Sequence, residues 1–148
     1  MKILAAFLFL SLIPSVVRAD SESETSLCNA KGLPVAYVAD DMTIYLWGGK
    51  PVAYLSSDAG PDSINIYGFN GKHLGWFAKG MIYDHDGAIV GAVPTALKTP
   101  EQSEPYKSYK QYCPYKAYKE YAPSKPAFSK TWSDTPLIIF LSSGNPDP

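Results

Sequence analysis

The stretch Ile66–Phe77, IYGFNGKHLGWF, decides the fold, because three other segments of the chain repeat its pattern. They read LCNAKGLPVAYV at Leu27–Val38, IYLWGGKPVAYL at Ile44–Leu55 and IYDHDGAIVGAV at Ile82–Val93. One glycine recurs in register in all four copies, at Gly32, Gly49, Gly71 and Gly87. Self-similarity of this kind indicates a fold assembled from equivalent units.

Each repeat predicts a β-hairpin with its turn at the recurring glycine. Asn70-Gly71 and Asp86-Gly87 are typical of two-residue type I′ turns, which need positive φ at both central residues. Gly48-Gly49 suits the same turn, and Lys31-Gly32 is the weakest of the four. The flanking residues are β-branched or aromatic, as strands prefer. We therefore predict four hairpins over 27–38, 44–55, 66–77 and 82–93.

That turn position gives each hairpin an aromatic face and a second, smaller apolar face. In the second and third repeats the aromatic face carries Tyr45, Trp47, Val52 and Tyr54, or Tyr67, Phe69, Leu74 and Trp76. The other face has a small residue at one shared position, as crowding around an axis would require: Ala36, Ala53, Gly75 and Gly91. A sheet exposed on one side should alternate apolar and polar residues. Something therefore covers the aromatic face, or that face binds something.

The candidate cover is a segment with a period of three at 105–123. Tyrosine occupies every third position from Tyr106 to Tyr121, and lysine follows most of these tyrosines. A period of three, with proline at 105, 114 and 123, indicates polyproline II. After it, Phe128–Trp132 and Leu137–Leu141 predict two short strands, and 142–148 a disordered tail.

The N-terminus predicts export. Lys2, the apolar run Ile3–Ile13 and Val17-Arg18-Ala19 form a signal-peptide pattern over residues 1–19, with cleavage after Ala19. An uncleaved anchor is the alternative, but no stop-transfer pattern follows. The expected location is secreted, periplasmic or in the cell envelope, as a single domain over 20–141 with no transmembrane helix after cleavage. Of the 13 Lys and Arg residues, 11 lysines then remain against 14 acidic residues, a net charge of −3 without arginine, which argues against nucleic acid.

The only two cysteines are both exceptions within their patterns. Cys28 takes the position of a tyrosine in the other repeats, and Cys113 takes the position of a lysine in the period-three segment. In an oxidising compartment this predicts a disulfide that pins the segment to the first hairpin. Two separate buried thiols are the alternative.

The repeats together with the Lys/Tyr/Pro segment resemble the four-fold β-flower family of small bacterial proteins over roughly Leu27–Trp132. The resemblance implies an all-β, shallow, pseudo-four-fold barrel of hairpin petals. It implies no enzymatic activity, since the family has no established function, and it supplies no catalytic residues. The family's barrel is distantly tubby-like, and tubby domains bind membrane lipids, but a likeness of fold says little about function. This chain also lacks an arginine-rich pocket for inositol phosphates.

Only two acidic clusters invite a chemical interpretation. Asp84-His85-Asp86 lies at the fourth turn, and a zinc site there would need further ligands, with His73 the only other histidine. Asp40 and Asp41 suit a solvated turn or a weak calcium site. No nucleophile, base and orienting group can be selected from this sequence. We therefore predict no enzyme, catalytic residue, metal or cofactor.

The aromatic faces carry the remaining functional prediction. The candidate binding residues are Tyr45, Trp47, Tyr54, Tyr67, Trp76 and Tyr83, although the same rings also suit packing under a cover. The predicted function is a non-enzymatic scaffold for structure or interaction, associating with lipid or another envelope component. The alternative is a carbohydrate- or choline-binding module with aromatic pockets between hairpins. The oligomeric state stays open.

Overall fold

The structure, a computed structural model, describes residues 24–57, 60 and 62–146. In these residues eight antiparallel strands close into a barrel, each paired with its neighbours in chain order, and Cys28 pairs with Ala92 to join the last strand to the first. The predicted all-β barrel of four hairpins is confirmed. Hairpin A contains β1 (Thr25–Cys28) and β2 (Pro34–Val38); B contains β3 (Thr43–Leu46) and β4 (Pro51–Ser56); C contains β5 (Ile64–Gly68) and β6 (His73–Ala78); D contains β7 (Met81–Tyr83) and β8 (Ile89–Ala92).

The predicted signal peptide, residues 1–19, lies outside the described residues, so export stays a prediction. A 3₁₀ turn at Pro94–Ala96 and one short helix, α1 (Leu137–Ser142), follow the barrel strands. In the described part of the chain, no helix has the length and apolar character needed to span a bilayer.

The hairpin turns differ from the predicted type I′ geometry. In hairpin C, Gly71 N donates to Gly68 O (3.0 Å), Gly68 N donates to Lys72 O (2.9 Å), and φ is +85° at Gly71 but not positive at Asn70. This is a three-residue loop ending in a glycine bulge. The Asn70 side chain favours it, because its Oδ1 accepts a hydrogen bond from Lys72 N (3.0 Å).

Because of the bulge, the side chains are divided between the two faces of each hairpin differently from the prediction. Pairing slips by one residue between Ile66 and Tyr67, and the other three hairpins slip at the equivalent place. Val52 and Leu74, expected on the aromatic face, therefore belong to the interior cluster with residues such as Ile44. The aromatic side chains form separate clusters on the outside of the barrel wall.

Helix α1 packs one face into the interior of the barrel, where the sequence predicted a strand at Leu137–Leu141. Leu137, Phe140 and Leu141 are buried in the interior cluster, and their spacing of three and four residues is that of one helical face. A Cβ added to Gly91 would lie 2.9 Å from Leu137 Cδ1, and one added to Gly75 would lie 3.0 Å from Phe140 Cζ. The small residues therefore do mark a crowded centre, and the helix is one cause of the crowding.

Two further C-terminal predictions differ from what the described residues show. Phe128–Trp132 is not a strand, since only Trp132 forms an isolated bridge, to Ile89. The supposed disordered tail is packed through Gly144, whose carbonyl oxygen accepts a hydrogen bond from Asn70 N (3.1 Å). This packing requires glycine at Gly68 as well, because a Cβ there would lie 2.1 Å from Gly144 Cα.

Candidate functional site

Residues 97–132, here called the belt, wrap around the outside of the four hairpin turns. The belt has neither helix nor strand from 101 to 129, and its backbone is anchored at intervals of nine residues. At each interval a belt N–H donates to the carbonyl oxygen of a turn glycine, at 2.8 to 2.9 Å: Gln102 to Gly32, Gln111 to Gly49, Glu120 to Gly71 and Ser129 to Gly87. Nine residues equal three polyproline II turns, about 28 Å. The belt therefore repeats in step with the four-fold barrel.

The belt presents six tyrosines to solvent and places four lysines over rings of the barrel. The six tyrosines at 106, 109, 112, 115, 118 and 121 are between 86% and 102% exposed. The interpretation that they cover the barrel is therefore wrong. Their lysine neighbours instead lie over the aromatic rings of the clefts between hairpins. Aromatic faces carry negative potential, so an ammonium group is a favourable cover, worth about 0.5–2 kcal/mol for each contact.

The cleft between hairpins A and B holds Tyr45, Trp47 and Tyr37, the last of which the sequence did not single out. Tyr37 stacks on Tyr45 with ring centroids 5.7 Å apart. Lys107 Nζ lies 4.6 Å from the Tyr37 ring centroid, and Lys110 Nζ lies 5.4 Å from that of Tyr45. The aromatic pocket predicted between these hairpins is thus occupied by cations of the chain itself.

The cleft between hairpins B and C repeats this arrangement with Tyr54 and Tyr67. Their rings stack with centroids 6.1 Å apart. Lys116 Nζ lies 4.3 Å from the Tyr54 centroid, and Lys119 Nζ lies 5.2 Å from that of Tyr67. An open groove of about 580 Å³ runs between this cleft and the belt.

The cleft between hairpins C and D uses histidines instead. His73 is buried against Trp76, and its Nδ1 lies 3.0 Å from His85 Nε2. The other nitrogen, Nε2, lies 2.9 Å from Asn65 Oδ1. The belt contributes Phe128 here, which stacks on Tyr83 at 4.1 Å. The six predicted binding residues are therefore divided among the clefts and do not form one pocket.

Residues 25–141 match the family model described as the 4-fold beta flower protein. The chain belongs to the 4-fold beta flower family. No curated protein and no solved structure matches it. The family match extends through the belt and into α1, so both are parts of the flower's own domain.

The acidic clusters of this beta flower serve its turns. Asp84 Oδ1 accepts hydrogen bonds from Asp86 N (3.0 Å) and Ala88 N (2.9 Å), and Asp41 Oδ1 accepts one from Thr43 N (3.0 Å). No three His, Cys, Asp or Glu side chains converge in the described residues. The interpretation of these carboxylates as turn residues is therefore the one that the hydrogen bonds support.

The predicted Cys28–Cys113 disulfide is absent from the described part of the chain, where both thiols are free. Cys28 is buried in β1, whereas Cys113 is exposed and its Sγ lies 3.3 Å from Tyr45 OH in hairpin B. Burial raises the pKa of the Cys28 thiol to about 11, and the Glu101 and Glu104 carboxylates add to the shift. Glu104 is a belt residue whose charge acts on Cys28 of hairpin A. Cys113 is nine residues further along the belt, about 28 Å in an extended chain. It therefore lies beside hairpin B and is too far along the belt to bond to Cys28.

We expect selective labelling of these thiols. In the native protein at pH 7.5, N-ethylmaleimide should modify Cys113 and leave Cys28 unmodified, because the thiolate is the reactive form. Intact-mass spectrometry should show one adduct in the native protein, two after denaturation, and none in native Cys113→Ser. A native protein that takes no adduct and is two hydrogens lighter would instead restore the disulfide.

Glu24 closes the cleft between hairpins A and B by pairing with two belt lysines. Lys110 Nζ lies 2.7 Å from one of its carboxylate oxygens, and Lys107 binds the other. Burial alone would raise the pKa of Glu24, but the hydrogen bonds and charges of the two lysines outweigh it and lower that pKa. The hydrogen bond to Glu24 likewise raises the pKa of Lys110.

These shifts predict a pH dependence that Glu24→Gln should reduce. A lowered carboxyl pKa contributes stability that is fully present above the ordinary value of 4.5, and this stability is lost as pH falls through the folded pKa. At neutral pH the substitution should cost about 1 kcal/mol or less, since the lysines are partly exposed. Thermal unfolding from pH 7 to pH 3 should show a smaller loss for Glu24→Gln than for the wild type. Glu101→Gln is the control. If Glu24→Gln lost as much thermal stability between pH 7 and pH 3 as the wild type does, the prediction would be contradicted.

The sequence did not indicate that lysines occupy the clefts. The period of three separates tyrosines from lysines but does not say which face turns inward. A second signal was present in the nine-residue repeat PYKSYKQYC (105–113) and PYKAYKEYA (114–122). That repeat, set against four equivalent hairpins, could have placed one lysine pair in each of two successive clefts.

Proposed function

We propose that the protein is a non-enzymatic interaction scaffold of the cell envelope, with the tyrosine row of the belt as its contact surface. The observation that supports this most strongly is the exposure of all six belt tyrosines. A tyrosine offers about 150–250 Å² of surface, so the row amounts to on the order of 1,000 Å². Aromatic surface of that extent usually marks an interaction site.

The anchoring of the belt makes this surface rigid. Backbone hydrogen bonds to the turn glycines fix the belt at nine-residue intervals, so the rings between the anchors are held before any partner arrives. Preorganisation lowers the entropic cost of binding. The filled barrel interior also favours contact on the outer surface over ligand uptake along the axis.

We expect the partner to be the headgroup region of envelope lipids. Tyrosine has an apolar ring and a polar tip, which suits the boundary between headgroups and acyl chains. The belt lysines Lys107, Lys110, Lys116 and Lys119 lie over rings of the clefts. Attraction to anionic headgroups should therefore contribute little, and binding should change little with salt. Export by residues 1–19 would bring the protein to such membranes.

Vesicle sedimentation tests this proposal. Vesicles of phosphatidylethanolamine and phosphatidylglycerol should sediment the wild type, and the triple variant Tyr112→Ser/Tyr115→Ser/Tyr118→Ser should stay in the supernatant. The matching triple Tyr→Phe variant keeps the rings and should still sediment. Because these side chains are exposed, each substitution should change stability by only about 0.5 kcal/mol or less. Equal sedimentation of the wild type and the serine variant, or none of the wild type, would refute the proposal.

A second candidate function is recognition of a quaternary ammonium group, such as choline, in the clefts. The ammonium groups of Lys116 and Lys119 already lie over Tyr54 and Tyr67, as such a ligand would. A ligand would have to displace these lysines. Calorimetric titration should therefore show choline binding more tightly to Lys116→Ser/Lys119→Ser than to the wild type. Lys31→Ser/Lys72→Ser is the control, and no binding to any variant would exclude this candidate.

A further inference from the structure

The belt begins and ends over hairpin D and leaves a cavity between its two ends. Leu97 and Thr99 from its start, and Ser129 and Trp132 from its end, line this space. The cavity, here called the seam cavity, has a volume of about 370 Å³. Sites for small molecules in proteins usually measure about 300–1,000 Å³. The seam cavity is therefore large enough for a small ligand.

The floor of the seam cavity is apolar and aromatic. Met81, Tyr83 and Ile89 of hairpin D line it together with Leu97 and Trp132 of the belt. Tyr83 is held in place on both sides, because its ring stacks on Phe128 (4.1 Å) and its hydroxyl donates to Met81 Sδ (3.6 Å). This floor suits an acyl chain or a flat ring.

Three exposed lysines surround this floor. Lys79, Lys98 and Lys130 come from the β6–β7 turn, the start of the belt and its end, and no acidic residue is among the described residues that line the cavity. The described part of the chain contains no ion pair to any of these three lysines. They are therefore available to a ligand, and their combined charge selects an anion.

Lys79 lies in the β6–β7 turn, and contacts of the turn fix the backbone conformation there. Lys79 has a φ of +51°, and the next residue, Gly80, accepts a hydrogen bond from Val93 N (2.8 Å). A Cβ on Gly80 would lie 2.8 Å from Val93 Cγ2, so the turn packs closely on the end of hairpin D. The polar groups of Thr99 and Ser129 are engaged elsewhere, donating to Ala30 O and Gly87 O. The ammonium groups of Lys79, Lys98 and Lys130 are thus the cationic donors that line the cavity for a headgroup.

We propose that the seam cavity binds a single-chain anionic amphiphile, with its carboxylate or phosphate at the lysines and its apolar body on the Tyr83–Trp132 floor. The charge of the lining and the apolar floor together specify this class. The source of the anion could be a free fatty acid or a lysophospholipid, since both share this chemistry. The inference does not depend on the tyrosine row, which lies elsewhere on the belt.

Binding of dodecyl phosphate to the full chain, below its micellar concentration, tests the proposal. Calorimetry should show saturable binding, and Lys79→Asn/Lys98→Gln/Lys130→Gln should weaken it at least tenfold. Asparagine is chosen at 79 because it tolerates positive φ. The control Lys31→Gln/Lys50→Gln/Lys72→Gln removes the same charge from other exposed turns and should bind within twofold of the wild type.

Three results would overturn the proposal: no binding to the wild type, equal weakening in both lysine variants, or equal binding of dodecyltrimethylammonium, which has the same chain and the opposite charge.

Tryptophan fluorescence is a separate readout that locates the ligand. Binding should shift the fluorescence of the wild type but not of Trp132→Phe, and an unchanged shift in that variant would place the ligand elsewhere. Dodecanoate and a lysophosphatidylglycerol then distinguish the two sources.

Discussion

Replacing Gly71 with valine should lower the free energy of unfolding by about 3–5 kcal/mol. A β-branched residue at φ +85° costs about 1–3 kcal/mol in backbone strain. The belt adds a second cost, because a Cβ at this position would lie 2.1 Å from Tyr118 O. Since that atom belongs to the backbone, the belt must move and its hydrogen bond from Glu120 N to Gly71 O is strained or lost. In a domain of this size the melting temperature should fall on the order of 15 °C.

Gly48→Val is the matched control for this prediction. Gly48 also lies in a hairpin turn, but its φ is not in the left-handed region and an added Cβ would meet nothing within 4 Å. We expect a change of about 1 kcal/mol or less. If both variants lost the same stability, the glycine requirement would come from turns in general, and the anchoring of the belt at Gly71 would be refuted.

A protease experiment separates strain in the turn from release of the belt. The belt contains lysines at regular intervals, so trypsin can cleave it where it leaves the barrel. In Gly71→Val we expect faster cleavage around Lys116 and Lys119, on either side of the Tyr118 contact, than around Lys107. Uniform cleavage along the belt would instead indicate global unfolding.

The positions of the four turns were predictable because each is a local signal. A glycine between two β-preferring runs identifies a hairpin whatever surrounds it. The type of turn was not predictable from Asn70-Gly71 alone, since that dipeptide suits both a type I′ turn and a type I turn with a glycine bulge. The difference of one residue moved Val52 and Leu74 to the interior.

The candidate site depended on long-range contacts and was harder to predict. The tyrosine period predicted a cover for the barrel, but a period of three does not itself say which of its edges turns inward. What decides it is the pairing of rings within each cleft, where Tyr37 with Tyr45, and Tyr54 with Tyr67, already stack on each other. Their remaining faces attract cations more strongly than another neutral ring. The seam cavity could not be predicted from the sequence either. Lys79 and Lys130, which both line it, are 51 positions apart in the chain and come together only in the folded protein.

Replacing Phe140 with alanine should lower the free energy of unfolding by about 3–5 kcal/mol. Phe140 is buried in the barrel interior with Leu137 and Leu141, and truncating a buried aromatic residue leaves a cavity that the barrel wall cannot fill. The same substitution at Ile139 should cost about 1 kcal/mol or less, because its side chain is 58% exposed. Urea denaturation of the two variants gives the comparison directly.

The pair Phe140→Ala and Ile139→Ala also decides between the helix and the strand that the sequence suggested. A short apolar run such as LIIFL cannot be assigned by periodicity alone. In a strand that buried Leu137 and Leu141, Ile139 would share their face and Phe140 would not, so Ile139→Ala would be the costly change. In α1 the buried positions are 137, 140 and 141, so the order of the two effects reverses. Alanine favours helix at both positions, and a larger loss at Phe140 therefore reports burial rather than propensity.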